Sequence, residues 1–389
     1  MKFEFATASR ILFGPGTVRN IARPAADMGR KVLLLTGRNP ERSSDLIRDL
    51  ESCGMEIHLR QIKGEPSTDM VTAGADFARK CGCDMVISMG GGSVVDAGKA
   101  VAALLTNTGK LSDYLEVIGK GRPIEREPAP FIAVPTTAGT GAEVTRNAVL
   151  ESPEHRVKVS MRGHLMLPRL AVADPELTYS LPPDITAASG LDALTQLIEA
   201  FVSKDANPLT DGLCREGISR AGRSLVTAYE NGADKNARED MCLASLFSGL
   251  ALANAKLGAV HGMAAPIGGM FSVPHGKVCA ALLPHAVAAN IRALAERMPE
   301  SSSLGRYAEI GKILTGSPEA EAEDTVSHLR HICRLLHVRP LRESGVREED
   351  IPAIIPKAQK AGSMKGNPLA LSDGELRDIL IRAIQGEEK

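Results

Sequence analysis

The residues whose types and spacing could do chemistry cluster on one segment, PPDITAASGLDALTQLIEAFVS. Leu191, Leu194, Ile198 and Phe201 recur at intervals of 3, 4 and 3, the signature of an apolar helix face. Ala193, Leu197, Ala200 and Val202 extend that face nearly all round, which predicts a buried helix. Against it runs a polar stripe of Ser189, Asp192, Gln196, Glu199 and Ser203. A carboxylate buried on such a helix needs a metal, a cation or several donors, because bare burial costs too much. Asp192 and Gln196 stand one turn apart, so both can reach one ion. The plainer alternative is a stripe facing solvent. It is weakened by the absence of any charge elsewhere on the helix after Asp184.

Two histidines share unusual settings downstream. His261 is expected to end a small-residue helix, GLALANAKLGAVHG, and His275 sits in VPHGK before another helical run. Glycine follows each, and the two are 14 residues apart. A single histidine in an apolar segment is ordinarily a satisfied core residue. Two of them, downstream of a buried aspartate, point to metal ligation by Asp192, Gln196, His261 and His275. Imidazole and carboxylate suit Fe(II), Zn(II) or Ni(II).

The first half of the chain carries different chemistry. Gly90, Gly91, Gly92 and Ser93 follow the apolar run MVISM and open a helix that bears Asp96 and Lys99. Glycines let a backbone come close to a bound group, and a helix N-terminus suits a pyrophosphate. A second loop, PTTAGTGAE, follows the run FIAV and offers Thr136, Thr137 and Thr140. In an open parallel sheet, ligands bind at the C-terminal ends of strands. A glycine turn between strand and helix is common, so neither loop is specific alone; together they point to a nicotinamide dinucleotide. After the run KVLLLT an acid would accept from an adenosine ribose hydroxyl. Here stand Gly37 and Arg38, with Arg42 behind, which favours NADP(H) over NAD(H).

These residues need elements to position them. Short apolar runs at 31–36, 85–89, 131–134 and 170–173 alternate with helical stretches, which predicts βαβ units and a parallel sheet. Lys2 to Phe5 alternates polar and apolar residues like a short strand. Beyond Pro182 and Pro183 the strands stop, Asp184 is placed to cap a helix, and the remainder reads as helical, with an exposed connection plus helix over 301–323. The predicted domains are therefore an α/β nucleotide-binding domain over 1–181 and an all-α domain over 182–389.

Composition narrows the partners. Lys plus Arg is 46 and Asp plus Glu is 47, so no basic field exists for nucleic acid. Twelve aromatic residues, with no Trp, leave few platforms for stacking bases. No run approaches the roughly 18 apolar residues of a membrane helix. The N-terminus lacks the apolar core of a signal peptide, and the seven cysteines are scattered, which together predict a cytoplasmic protein with reduced thiols.

The motif set resembles the iron-containing (group III) alcohol dehydrogenase family along almost the whole chain: RILFGPG, GGGSVVDAGKA, PTTAGTGAEVT, DPELTYSLPPDITAASGLDALTQLIEAFVS, GLALANAKLGAVHGMAAPIGG, VPHG and SMKGNPLALSDGEL. The resemblance implies a dehydroquinate-synthase-like fold, a nicotinamide cofactor, one divalent metal (usually iron), a small alcohol or carbonyl substrate, and a homodimer or larger assembly. By the same resemblance Asp192, His261 and His275 match family ligands and act catalytically through the metal. Two positions depart. The family's usual fourth ligand, a histidine, is Gln196 here, and the second histidine of the common HGMAH is Ala265. These losses keep open a maleylacetate- or oxo-acid-type reductase with weak or no metal dependence. A non-catalytic nucleotide-binding protein on the same scaffold is the alternative of another class. Asn147, Lys158 and the segment around Phe271 adjoin motif residues and are candidates to line the substrate site.

Overall fold

Four apolar runs become the inner strands of one sheet. The computed structural model describes residues 2–155 and 157–386. Strands β1 (Ile11–Phe13), β2 (Lys31–Thr36), β3 (Glu56–Gln61), β4 (Met85–Gly90), β5 (Phe131–Pro135) and β8 (Leu170–Ala173) pair in the order β1-β8-β5-β4-β2-β3, all parallel. Strands β4, β5 and β8 are buried along their whole length, as expected where helices cover both faces. One face packs Leu33, Leu35, Val86 and Ala133 against helices α3 (Thr68–Cys81) and α4 (Gly92–Thr106). The other packs Val32, Leu34, Ile87 and Ile132 against α1 (Ala22–Ala26) and α2 (Ser44–Ser52). A short helix α5 (Leu111–Tyr114) and an antiparallel hairpin of β6 (Asn147–Ser152) and β7 (Val157–Arg162) complete this part, the hairpin packing Ala148, Leu150, Val159 and Met161 onto the α4 side.

The order of strands matters for the site. From β2 the chain steps outward to β3, returns to β4, and then builds in the opposite direction through β5. The reversal lies between β2 and β4, and this is where open α/β sheets bind ligands.

The second part is helical: α6 (Pro183–Val202), α7 (Pro208–Glu230), α8 (Lys235–Asn254), α9 (Ala259–Phe271), α10 (His275–Arg297), α11 (Ser302–Thr315), α12 (Ala322–Leu335), α13 (Ile351–Lys360) and α14 (Asp373–Gln385). The described chain separates into two compact units, residues 6–180 and residues 181–386 with 2–5. Helix α10 is long and apolar enough by composition to cross a membrane, but 83% of its most apolar window is buried within the protein. It is a core helix.

Three local expectations are corrected. Residues 2–5 form no strand and group with the helical unit; the sheet edge is taken by β1, whose backbone pairs with β8, while Phe3 is half exposed. Asp184 lies in the first turn of α6 rather than capping it, because Pro182 and Pro183 begin the helix. His261 does not end a helix. The chain breaks at residues 255–258, turns by 97°, and restarts as α9 with His261 in its first turn.

Candidate functional site

The polar stripe on α6 faces inward. Asp192 is 2% exposed, Gln196 3% and Glu199 6%, so the solvent-facing alternative is excluded. Two other helices bring their N-termini to this stripe. The break after α8 places His261 beside it, and Pro274 at the head of α10 places His275 there. Gly276 permits the approach, since a side chain at that position would sit 2.4 Å from the Ala188 carbonyl oxygen of α6.

The result is a tight group of four. One atom each from Asp192, His261, His275 and Cys279 lies within 4.8 Å of all the others. Asp192 Oδ1 is 3.3 Å from His261 Nε2 and 3.6 Å from His275 Nε2. Cys279 Sγ is 3.9 Å and 3.5 Å from the same two nitrogens. Asp192 Oδ1 is buried yet has no hydrogen-bond partner, an arrangement that costs about 1–3 kcal/mol or more unless something fills the space. The group is closed on most sides; only the His275 side chain, 31% exposed, opens to solvent. Burial pushes the Asp192 carboxyl up, but the two imidazoles outweigh it and hold the group below the usual carboxylate range. Burial likewise works to lower both imidazoles, while the sulfur of Cys279 and the Asp192 carboxylate outweigh it and raise them.

Around this group stands a supporting layer. Glu199 Oε2 is 2.6 Å from His261 Nδ1, and its Oε1 accepts from the Val260 amide at 2.7 Å. The carboxylate therefore fixes a proton on Nδ1, which leaves Nε2 as the nitrogen that faces Asp192 and would bind an ion.

Gln196 adjoins the group through Asp192. Its Nε2 donates to Asp192 Oδ2 at 3.2 Å, and its Oε1 accepts from Ser248 Oγ at 2.7 Å. Turning the amide over would set two acceptor oxygens against each other at the Asp192 contact. Cys279 was missed by the sequence reading. Its signal was present: it follows His275 by four residues on a helical run, which puts both on one face.

In the α/β unit the two loops also converge. Gly91 begins α4 as its cap, and a side chain on Gly92 would meet Thr140 at 2.7 Å. Gly91 lies against Thr137. A cavity of about 160 Å³ opens at the strand-order reversal, lined by Gly37, Arg38, Arg42, Gly90, Gly91 and Thr136 among others. Arg42 donates to the Leu177 carbonyl at 2.6 Å; Arg38 is exposed. Ser93 lies in the first turn of α4. Asp96 does not line the cavity. It pairs with Lys99 at 3.1 Å and accepts from the Val149 amide at 3.0 Å. Lys158 is paired with Glu65 at 3.2 Å, and the Asn147 carbonyl accepts from Lys99.

Comparison with known proteins gives a consistent family. The profile of iron-containing alcohol dehydrogenase matches residues 8–175, and that of the Fe-containing alcohol dehydrogenase family, C-terminal, matches residues 186–384. Alcohol dehydrogenase 4 of Saccharomyces cerevisiae (strain ATCC 204508 / S288c) is 37% identical over 321 residues, 82% of this chain and 81% of that protein. The 1,3-propanediol dehydrogenase of Klebsiella pneumoniae is 33% identical over 98% of both chains. A solved structure of 1,3-propanediol oxidoreductase superposes with a TM-score of 0.91 at 32% identity, over 98% of this chain and 100% of that one. The α/β unit with its glycine loops and the helical unit with its aspartate–histidine group are thus the two halves of one known enzyme type, and the chain belongs to the iron-containing alcohol dehydrogenase family, an oxidoreductase acting on alcohols and their carbonyl partners.

Proposed function

We propose that the chain transfers a hydride between NADP(H) and a small alcohol, aldehyde or ketone, with one divalent ion held by Asp192, His261 and His275. The observation that carries the reading is the buried Asp192 Oδ1, which makes no hydrogen bond and lies 3.3 and 3.6 Å from Nε2 of the two histidines. Two nitrogens and one carboxylate oxygen fit iron or zinc. When bound, such an ion is a Lewis acid that polarises a carbonyl or lowers the pKa of an alcohol.

The chain's own residues do the remainder. Glu199 holds the His261 proton on Nδ1, keeping the ring in one tautomer. The exposed flank of His275 gives the substrate its approach. Ala265 has no proton to carry, so the alcohol proton leaves by another route, such as water. In the α/β unit, the amides at the head of α4 suit the pyrophosphate. Gly37 removes the acid that would repel a 2′-phosphate, and Arg38 can meet that phosphate in the same cavity. The NAD-dependent methanol dehydrogenase of Bacillus methanolicus and the NAD+ complex of a sulfoacetaldehyde reductase support a nicotinamide cofactor in relatives of this chain. A cytoplasmic homodimer or larger assembly completes the proposal.

Gln196, standing where a histidine ligand is usual by the family resemblance, supports a second reading: a maleylacetate- or oxo-acid-type reductase with weak or no metal dependence. One experiment separates the two. Metal content of the purified protein is measured, then NADPH and NADH oxidation over aldehydes and oxo acids, before and after chelation. Loss of metal and turnover together in Asp192→Ala and His261→Ala supports the metal-dependent reading. Full turnover in metal-free His261→Ala protein sinks it.

A further inference from the structure

We infer that Cys279 supplies the fourth ligand to the divalent ion beside Asp192, His261 and His275, and that the site is built for zinc-like, thiolate-accepting cations. The inference rests on the metal-dependent reading above and goes beyond it.

The distances carry the argument. In a tetrahedral zinc site the metal lies about 2.0–2.1 Å from histidine nitrogen, about 2.0–2.2 Å from carboxylate oxygen and about 2.3 Å from sulfur. Those lengths set the edges of the tetrahedron at about 3.3 Å between oxygen and nitrogen and about 3.6 Å between nitrogen and sulfur. Here the oxygen–nitrogen edges are 3.3 and 3.6 Å, and the nitrogen–sulfur edges are 3.5 and 3.9 Å. The Gln196 amide here turns its oxygen to Ser248 and its nitrogen to Asp192. That nitrogen donates to the second Asp192 oxygen and leaves the first free.

The placement of the sulfur is independent support. Cys279 is 0% exposed and follows His275 by one helical turn, so packing within α10 holds the two side by side. On binding, the thiol proton goes to solvent and the sulfur takes the ion in its place. Thiolate ligands select zinc over harder cations.

The test uses cobalt(II) alone as the probe, added to the chelator-stripped full-length protein. The expected result is a near-ultraviolet thiolate-to-cobalt charge-transfer band in the native protein. That band is lost in Cys279→Ser and kept in Gln196→Ala. Cobalt binding by the native protein without the band, or a band that Gln196→Ala removes and Cys279→Ser keeps, overturns the ligand assignment alone. No cobalt binding by the native protein overturns the metal-dependent reading and this inference with it. The native spectrum decides the matter even if Cys279→Ser fails to fold.

Discussion

Glu199 and His261 are joined by a 2.6 Å contact between Oε2 and Nδ1, although 62 residues separate them in the chain. The other Glu199 oxygen accepts from the amide of Val260, the residue before His261. One carboxylate thus fixes both the backbone and the ring of a proposed ligand. Glu199→Gln leaves one acceptor for two donors. We expect metal affinity to fall by about 10- to 100-fold, read by competition with a chromogenic chelator. Unchanged affinity would show that the ring needs no such anchor.

Lys99 is buried and hydrogen-bonds to the Ala142 carbonyl at 2.9 Å and Thr145 Oγ1 at 2.7 Å, besides pairing with Asp96. Replacing it by methionine strands the Asp96 carboxylate. Breaking one partner of a buried pair costs about 3–5 kcal/mol, so Lys99→Met should lower stability by that order in urea unfolding. The double variant Asp96→Leu, Lys99→Met should recover part of the loss. A double variant weaker than the single one would contradict this account.

Arg38 bears on coenzyme choice. A hydrogen bond to a charged group is worth about 1.5–3 kcal/mol. Arg38→Ala should therefore raise the KM for NADPH by about 10- to 100-fold and leave that for NADH nearly unchanged. Gly37→Asp should move the preference towards NADH. Equal effects on both coenzymes would remove the 2′-phosphate reading.

His285 predicts an acid-sensitive limb of stability. It is buried in α10, its Nδ1 has no partner, and burial with Arg330 and Arg382 nearby lowers its pKa from 6.5 to about 4. The folded pKa is below the unfolded one, so the unfolded chain binds the extra proton in between. Stability is complete above pH about 6.5 and falls as pH drops towards about 4, by about 3 kcal/mol at most. His285→Phe should flatten that part of the stability–pH curve. An identical slope in the variant would place the acid sensitivity elsewhere.

Much of this was legible in the sequence, for physical reasons that differ by residue. Strands β2, β4, β5 and β8 are buried and nearly continuous in apolar residues, so their runs stood out. Strand β3 reads EIHLRQ because it is an edge strand and partly exposed, and β1 has only three residues. Neither pattern separates a strand from a loop. The stripe on α6 was visible because a buried helix leaves few polar positions unexplained. The orientation of Gln196 was not, since it depends on Ser248, brought up by α8. Cys279 is not legible from the spacing of the cysteines, because its companions are histidines and an aspartate.

The placement of the proposed ligands has a consequence for heat and chelators. Asp192, His261 and His275 stand on three helices, separated by chain segments of 69 and 14 residues. An ion held by all three acts as a removable cross-link, closing both segments at once and restricting the unfolded chain more than the folded one. The α/β unit contains none of these ligands. Stripping the ion would therefore bring the melting of residues 181–386 forward.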